Sequence, residues 1–396
     1  MKVILTSNTS WSLWNFRLGL MRALKEKGFE VWAVAPYDEF SENLKKEFKY
    51  YEIKNLDRKG TNPLRDLKLL MEYIRIYRKI KPNLVINFTI KPNIYSSIAC
   101  GFLGIKCISV ITGLGYVYVK GGVLQVITNL LYKVALSFNK KVVFQNEEDG
   151  NIFINKGIIN PNKSVLIKGS GVDTKFFSPE FCKNINKEKD KFIFLMVSRL
   201  LWDKGVREFV EAGKKLKEKY PFVELWLLGP LDRGNPSAIP EEKLREWEGI
   251  IKYLGETKDV RPYVCQADCV VLPSYYREGI PRSLLEAMAM EKPIITTDTP
   301  GCRDVVRDGV NGFMVKARDF MSLYDAMERM IKLDAEKRLK MGKEGRKLVL
   351  EEFDEKIIIE KYLAIIESVL GGGIDGVSPN ILHRKLCNKP LDNKTG

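Results

Sequence analysis

Short apolar runs alternate with longer segments in which apolar residues recur at helical spacing, from the start of the chain to about residue 350. Fully apolar runs bounded by turn residues are typical of buried parallel strands, and the longer segments are typical of the helices that cover them. In the first part of the chain the pattern predicts strands at 2–7, 29–36, 84–89, 106–112 and 141–146, with helices at 14–28, 63–80, 93–104 and 121–139.

The alternation begins again after a lysine-rich stretch at 182–191. We therefore predict an α/β fold of two Rossmann-like, doubly wound domains that face each other across a cleft. The predicted division is a first domain at 1–168, a second domain at 169–352, a helix at 353–370 that packs back on the first domain, and a flexible tail at 371–396.

Charge is distributed unevenly along the chain, which carries a net charge of +15. Residues 1–170 hold 26 Lys and Arg against 13 Asp and Glu, whereas the remainder holds 39 against 37. The basic half predicts an anionic partner: a membrane surface, a phosphorylated acceptor or nucleic acid. A solvated basic surface is the simpler interpretation.

Several kinds of chemistry are excluded by composition. The one histidine, His383, lies in the polar tail, which rules out a histidine base, a Ser-His-Asp triad and a His-rich metal site. No Asp-x-Asp sequence offers a metal–nucleotide clamp, so we expect neither a metal nor another cofactor.

Seven scattered cysteines without paired spacing predict free thiols in a reducing compartment. The start lacks a signal-peptide layout and no apolar run is long enough to span a membrane, so we expect a cytoplasmic protein.

Two pairs of charged residues follow predicted strands in the second half. Arg199 and Lys204 come after the run FIFLMV, and Glu278 and Glu286 lie in EGIPRSLLEAMAM. Separated cations at the end of a strand suit a diphosphate, and carboxylates accept hydrogen bonds from sugar hydroxyls. Between the two acids the chain turns at Gly279, Ile280 and Pro281. The backbone amides around residues 279 to 282 are unpaired helix-start donors that suit a sugar or a phosphate.

With these motifs, GSGVD at 169–173 and PIITTDTPGCRDVVRDGVNGFMV, the chain resembles the retaining family-4 glycosyltransferases of the GT-B fold. The resemblance implies that Arg199 and Lys204 hold the diphosphate of a nucleotide sugar. It implies that Glu286 binds the ribose, and that Glu278 with the turn 279–281 contacts the transferred sugar. A loop beginning at Leu254 would hold the base, and uridine is favoured.

The first half resembles a narrower branch through SWSLWNFRLGLMRALKEKG, FTIKPNIYSSIACGFLG and VITGLGYVY. Members of this branch transfer sugars, N-acetylgalactosamine among them, to polyprenyl-diphosphate-linked glycans. The resemblance implies a loop near the donor phosphates that begins at Ser10, and an acceptor side with these residues: Arg17, Lys91, Thr112 and Gly113. The family often has a histidine near Lys91, and this chain has Asn87 and Thr89 there instead.

The resulting hypothesis is a metal-independent retaining glycosyltransferase that uses a lipid-diphosphate-linked saccharide as acceptor. Basic and aromatic residues around 75–81 and 116–120 favour a peripheral position on the inner face of an anionic membrane.

A GT-B nucleotide-sugar epimerase shares the architecture but is expected to have catalytic histidines. A nucleotide-dependent dehydrogenase would need a G-x-G-x-x-G turn, which neither half contains. A basic nucleic-acid-binding protein would explain the charge but not the acid pair, so no nucleic acid is expected.

Overall fold

The computed structural model describes residues 1–57, 62–186 and 190–371. Among these residues, one all-parallel sheet contains β1 (Lys2–Thr6), β2 (Glu30–Ala35), β3 (Lys49–Glu52), β4 (Leu84–Phe88), β5 (Lys106–Ile111), β6 (Lys141–Phe144) and β7 (Ser164–Leu166). The strands lie in the order 3-2-1-4-5-6-7. The helices connecting them are α1 (Ser10–Glu26), α2 (Ser41–Glu47), α3 (Pro63–Ile80), α4 (Ser97–Leu103), α5 (Gly115–Lys120), α6 (Gly122–Ser137) and α7 (Glu147–Asn155).

A second parallel sheet contains β8 (Phe192–Val197), β9 (Val223–Leu228), β10 (Lys252–Tyr253), β11 (Cys269–Leu272), β12 (Ile294–Thr297) and β13 (Gly312–Val315). Its strands lie in the order 10-9-8-11-12-13. The later helices are α8 (Val206–Lys219), α9 (Glu241–Glu246), α10 (Arg261–Gln266), α11 (Arg282–Ala289), α12 (Phe320–Lys332), α13 (Ala335–Leu348) and α14 (Glu355–Leu370). The predicted fold class is confirmed: the structure contains two Rossmann-like α/β units, each with a doubly wound parallel sheet.

Strand order reverses once in each sheet, between β1 and β4 in the first and between β8 and β11 in the second. Open α/β sheets bind ligands in the crevice beyond the carboxyl ends of the strands at such a reversal. Arg199 and Lys204 follow β8, and Ser274 to Glu278 follow β11, so the fold brings both predicted motifs to the crevice of the second sheet.

The last helix returns to the first sheet. Ile358, Tyr362, Ile365 and Ile366 of α14 are buried in one apolar cluster with residues of β1, α1 and β4. The chain therefore crosses between the two sheets twice, once after β7 and once before α14. At these crossings the amide of Val172 donates to the carbonyl of Phe353 (3.0 Å), and the amide of Glu355 donates to the carbonyl of Val172 (3.0 Å).

Some predicted elements differ from the structure. The expected loop at Ser10 is wrong: α1 already begins at Ser10, because the side chain of Thr9 caps the amide of Ser12. The short elements α2 and β3 were not predicted, since β3 is a four-residue edge strand with lysine and glutamate at its ends. The predicted tail at 371–396, with His383, lies outside the described residues apart from Gly371.

The prediction of free thiols is wrong for two cysteines. Cys182 and Cys265 form a disulfide with their Cα atoms 5.1 Å apart, although 83 residues separate them in the sequence. They meet because the short helix Pro179–Asn184 packs against α10. A disulfide of this kind is rare in a reducing compartment, so the cysteine pattern no longer supports one. The thiols of Cys100, Cys107, Cys269 and Cys302 are free and buried.

Candidate active site

Lys204 and Glu278 meet in an ion pair in the crevice of the second sheet. Their side chains are only 12% and 13% exposed, and the Ser274 hydroxyl donates a second hydrogen bond to the Glu278 carboxylate (3.1 Å). The turn after Lys204 requires Gly205, which has φ +79°, because a Cβ there would lie 2.1 Å from the carbonyl oxygen of Pro273. The backbone therefore holds Lys204 directly against the end of β11.

Arg199 lies two residues after β8 but does not join that pair. Its guanidinium donates to the Asp232 carboxylate (2.7 Å), which also accepts from the Asn235 side chain (3.0 Å). The Arg199 side chain keeps a third of its surface exposed. Two cations therefore flank the end of β8, each oriented by its own carboxylate.

Glu286 is in the second turn of α11 and accepts from Arg282 on the same helix (3.1 Å). The Arg282 guanidinium also donates to the Asn15 carbonyl of α1 (2.6 Å), so this pair joins the two halves of the molecule. Burial raises the pKa of Glu286, although the charge of Arg282 opposes the rise. The charge of Asp259, in the segment that follows Leu254, adds to the rise in this pKa.

The loop from Leu254 to Val260 continues from β10 along the end of β9. The amide of Leu254 donates to the Leu227 carbonyl (2.9 Å), and the amide of Gly229 donates to the Gly255 carbonyl (2.8 Å). These backbone bonds fix the loop beside the two cations. Its predicted role in holding a base stays a prediction.

The turn that carries Glu278 is also attached to the first half. Arg277 donates to the Asp149 carboxylate of α7 (2.9 Å), which is 1% exposed, and the Asn146 side chain donates to the Glu278 carbonyl (3.1 Å). The amide of Gly115 donates to the carbonyl of Arg277 (3.1 Å). Burial raises the pKa of Asp149 against the opposing effect of Arg277.

Glycines allow this contact between the halves to be close. A Cβ on Gly113, whose φ is +108°, would lie 2.6 Å from both the carbonyl oxygen of Arg277 and the amide nitrogen of Gly279. From the opposite side, a Cβ on Gly279 would lie 2.9 Å from the carbonyl oxygen of Thr112. Ile280, the next residue of the turn, packs against Gly169 between the two sheets, and Pro281 precedes α11.

Three residues predicted in the first half have other partners. Ser10 is buried, and its hydroxyl donates to the Pro36 carbonyl (2.9 Å), so its side chain does not face a donor phosphate. Arg17 is 5% exposed and lies 4.3 Å from the centre of the Phe88 ring, too enclosed to reach an acceptor phosphate. Burial lowers the pKa of Arg17. Lys91 forms an ion pair with Asp66 (2.6 Å).

Thr89 occupies an unusual position where β4 ends. Its φ is +71°, which is a rare conformation for a β-branched residue. Its hydroxyl is buried and, within the described ranges, makes no hydrogen bond. Strained residues of this kind concentrate at functional sites. Thr89 therefore marks the crevice of the first sheet. The family that this chain resembles often has a histidine in this neighbourhood, and this chain has none there.

The sequence motifs identified the charged residues of the second half but missed the residues that connect the halves. Arg277 and Arg282 stand inside the motif SYYREGIPRSLLEAMAM, and their partners Asp149 and Asn15 lie more than 120 residues earlier. The one signal in the sequence was the presence of two arginines beside the two acids. Their partners became evident only from the packing of the halves.

Comparison with protein families matches both halves. Residues 178–348 match the model described as "Glycosyl transferases group 1", and residues 2–146 match "Glycosyl transferase 4-like".

Individual proteins match over most of the chain. It is 30% identical to the N,N'-diacetylbacillosaminyl-diphospho-undecaprenol alpha-1,3-N-acetylgalactosaminyltransferase of Campylobacter jejuni, over 93% of this chain and 99% of that protein. It is 26% identical to the UDP-Gal:alpha-D-GlcNAc-diphosphoundecaprenol alpha-1,3-galactosyltransferase of Escherichia coli, over 67% of this chain and 71% of that protein. Among solved structures, a glycosyltransferase from Rickettsia africae superposes with a TM-score of 0.77 at 19% identity, over 94% of this chain and 99% of the other.

Proposed function

This chain belongs to the group 1 glycosyl transferases of the family-4 type, and from that premise we propose that it transfers a sugar from a nucleoside-diphosphate sugar to a hydroxyl of a lipid-diphosphate-linked glycan. A UDP-sugar is the favoured donor, because the similar Escherichia coli enzyme uses UDP-Gal. The observation that carries the proposal is the meeting of Lys204 and Glu278 at the strand reversal of the second sheet, the position where such sheets bind ligands.

The proposed mechanism assigns most of the catalytic effect to stabilisation of charge. Breaking the bond between the sugar and the diphosphate leaves negative charge on the departing phosphate. Lys204 and Arg199, each held in place by a carboxylate, stabilise that charge in the transition state. Glu278 binds sugar hydroxyls and orients Lys204. The acceptor hydroxyl then attacks from the side of the leaving group, which retains the anomeric configuration, and its proton passes to a phosphate oxygen.

The proposed acceptor enters from the first half, where Thr112 and Gly113 lie against the turn that carries Glu278. We propose residues 1–168 with α14 as the acceptor domain and residues 169–352 as the donor domain. A lipid-linked acceptor places the enzyme at the periphery of the membrane that holds the lipid. Among the described helices, none combines the length and the apolar composition needed to cross a bilayer.

Incubation with UDP- and GDP-sugars and a lipid-diphosphate disaccharide tests the proposal directly. We expect nucleotide release that depends on the acceptor, with a glycolipid product one sugar heavier by mass spectrometry, and the same turnover in the presence of EDTA. Conversion of a nucleotide sugar without any acceptor would instead identify an epimerase. Failure of every donor to react would contradict the assignment, and loss of turnover with EDTA would contradict its metal-independent form.

As the pH is lowered, the KM for the donor is expected to rise. The rise should begin at a higher pH than it would if Glu286 had the pKa of an ordinary glutamate. Burial raises the pKa of Glu286, so its carboxylate becomes protonated sooner as the pH falls and accepts fewer hydrogen bonds from the ribose. Steady-state kinetics of the wild type and of Glu286→Gln across this acidic range provide the check. The variant should have a high KM that no longer changes with pH, and matching profiles for the two proteins would remove Glu286 from the ribose site.

A further inference from the structure

Helix α6 carries large apolar side chains on the face that points away from the protein. Val123, Val126, Ile127, Leu130 and Val134, with Phe138 just after the helix, are between 42% and 76% exposed. Their spacing places them on one stripe of the helix, which we call the outer face of α6. A surface helix normally carries polar residues on this side, and a contiguous apolar patch of this kind marks an interaction surface.

The opposite side of α6 already has its packing partners. Thr128, Tyr132, Ala135 and Leu136 are buried, and the last three belong to an apolar cluster with β6 and α7. The helix is therefore held in place by one apolar side and presents the other outward. Because the inner side accounts for the folding of the helix, the outer face needs a different explanation.

The patch extends to the end of α4. Phe102 is 69% exposed, and a Cβ on its neighbour Gly101 would lie 2.3 Å from the Phe138 ring, so the two aromatic positions are close. Two elements thus contribute to one apolar surface on the first half of the molecule.

The segment of the sequence that contains this surface carries charge of a single sign. From residue 73 to residue 146 the sequence has ten Lys and Arg and no Asp or Glu. Lys133 and Lys140 are exposed on and just beyond α6, and Lys163 donates to the Ser137 carbonyl at the end of the helix (2.6 Å). An apolar stripe with lysines at its edge is the arrangement by which interfacial helices bind anionic membranes.

We propose that the outer face of α6 inserts into the headgroup region of an anionic lipid bilayer. The inference rests on the proposed function, because a lipid-linked acceptor must be met at a bilayer. A second copy of the chain fits less well, since a contact of this face with itself would add Lys133 and Lys140 of both copies to one interface. Single-stranded nucleic acid stacks on aromatic rings, whereas α6 itself presents aliphatic side chains.

The position of α6 relative to the candidate active site agrees with insertion of its outer face into a bilayer. Gly115, the first residue of α5, donates its amide to the Arg277 carbonyl beside Glu278, and α6 begins seven residues later. From that point α6 extends for roughly 24 Å at the usual helical rise. The surface that meets the bilayer therefore begins next to the cleft, and an acceptor whose lipid remains in the bilayer reaches the cleft with its sugar.

Vesicle flotation of the full chain tests the proposal. Wild-type protein should float with vesicles of phosphatidylcholine and phosphatidylglycerol and much less with phosphatidylcholine alone. The triple variant Val126→Ser/Ile127→Ser/Leu130→Ser should partition at least tenfold more weakly, since burying one such side chain is worth a factor of about ten or more. Lys133→Glu/Lys140→Glu should weaken binding to the anionic vesicles by at least about fivefold per charge.

A matched control removes three exposed apolar side chains from the second half. Val310→Ser/Leu339→Ser/Leu350→Ser changes residues that are 44%, 50% and 45% exposed, and it should float like the wild type. Transfer to a water-soluble acceptor analogue should be unchanged in the α6 triple variant, which shows that the site is intact. Vesicle binding without any transfer would contradict the proposed function but leave the lipid-binding face standing.

Two results would overturn the inference. One is flotation of the α6 triple variant equal to that of the wild type. The other is a wild type that ignores both kinds of vesicle and sediments as a dimer that the triple variant dissociates, because a second copy would then cover the face.

Discussion

Replacement of Lys204 by alanine is expected to lower kcat about a hundredfold, because removing a preorganised charge from a developing anion typically costs roughly 3 kcal/mol of transition-state stabilisation. Arg199→Ala should lose a similar amount. The structure sharpens this expectation for Lys204, whose ammonium group is held between the Glu278 carboxylate and the Tyr276 ring, 5.1 Å from the ring centre. Donor KM should change less than kcat if the cations act mainly on the leaving group.

Two controls separate chemistry from folding. Lys214→Ala removes an exposed lysine from α8 of the same half and should leave kcat unchanged. Thermal unfolding of Lys204→Ala shows whether the unpaired Glu278 carboxylate destabilises the protein. Turnover at the wild-type rate by both Lys204→Ala and Arg199→Ala would refute the assignment of these cations to the donor diphosphate.

Gly113→Ala should reduce kcat by about a hundredfold, because a displacement of roughly 1 Å at a reacting centre can cost that much. The added Cβ would lie 2.6 Å from backbone atoms of Arg277 and Gly279, and neither can move without displacing Glu278 between them. The contact of Arg277 with Asp149 would then lengthen as well. Steady-state kinetics with donor and acceptor varied separately, together with a melting curve, are the measurements.

Gly104→Ala is the matched control for this substitution. Gly104 also has a positive φ, +68°, but no atom lies within 4 Å of the position of its Cβ. It should therefore show only the backbone cost of a left-handed alanine, about 1 kcal/mol of stability, with normal turnover. A Gly113→Ala enzyme that works at the wild-type rate would mean that catalysis does not need the two halves in the contact described above.

The sequence predicted the parts of this molecule that depend on local pattern. Strand β8 is a fully apolar run, β4 is apolar except for Asn87, and α3 begins where Asn62 caps the amides of Leu64 and Arg65, so each could be located without knowledge of its neighbours. The charged motifs were found for the same reason, since each follows such a strand directly.

Features that depend on distant packing could not be predicted. Nothing local distinguishes Cys182 and Cys265 from the four thiols that are free among the described residues, because only the contact of two short helices brings them together. Ser10 was misplaced because the resemblance that implied a loop there said nothing about the direction of its hydroxyl. Lys91 likewise could be recognised as a cation, but its ion pair with Asp66 depends on how α3 packs beside it.

The paired crossings of the chain at Val172 and Phe353 to Glu355 restrict how the cleft can open. With a single flexible linker, the two halves could twist and separate in any direction. We expect two connections that are hydrogen-bonded to each other at one point to act as a hinge, which would leave a rotation that widens the cleft at its far side. Entry of the nucleotide sugar and exit of the spent nucleotide would then share one motion.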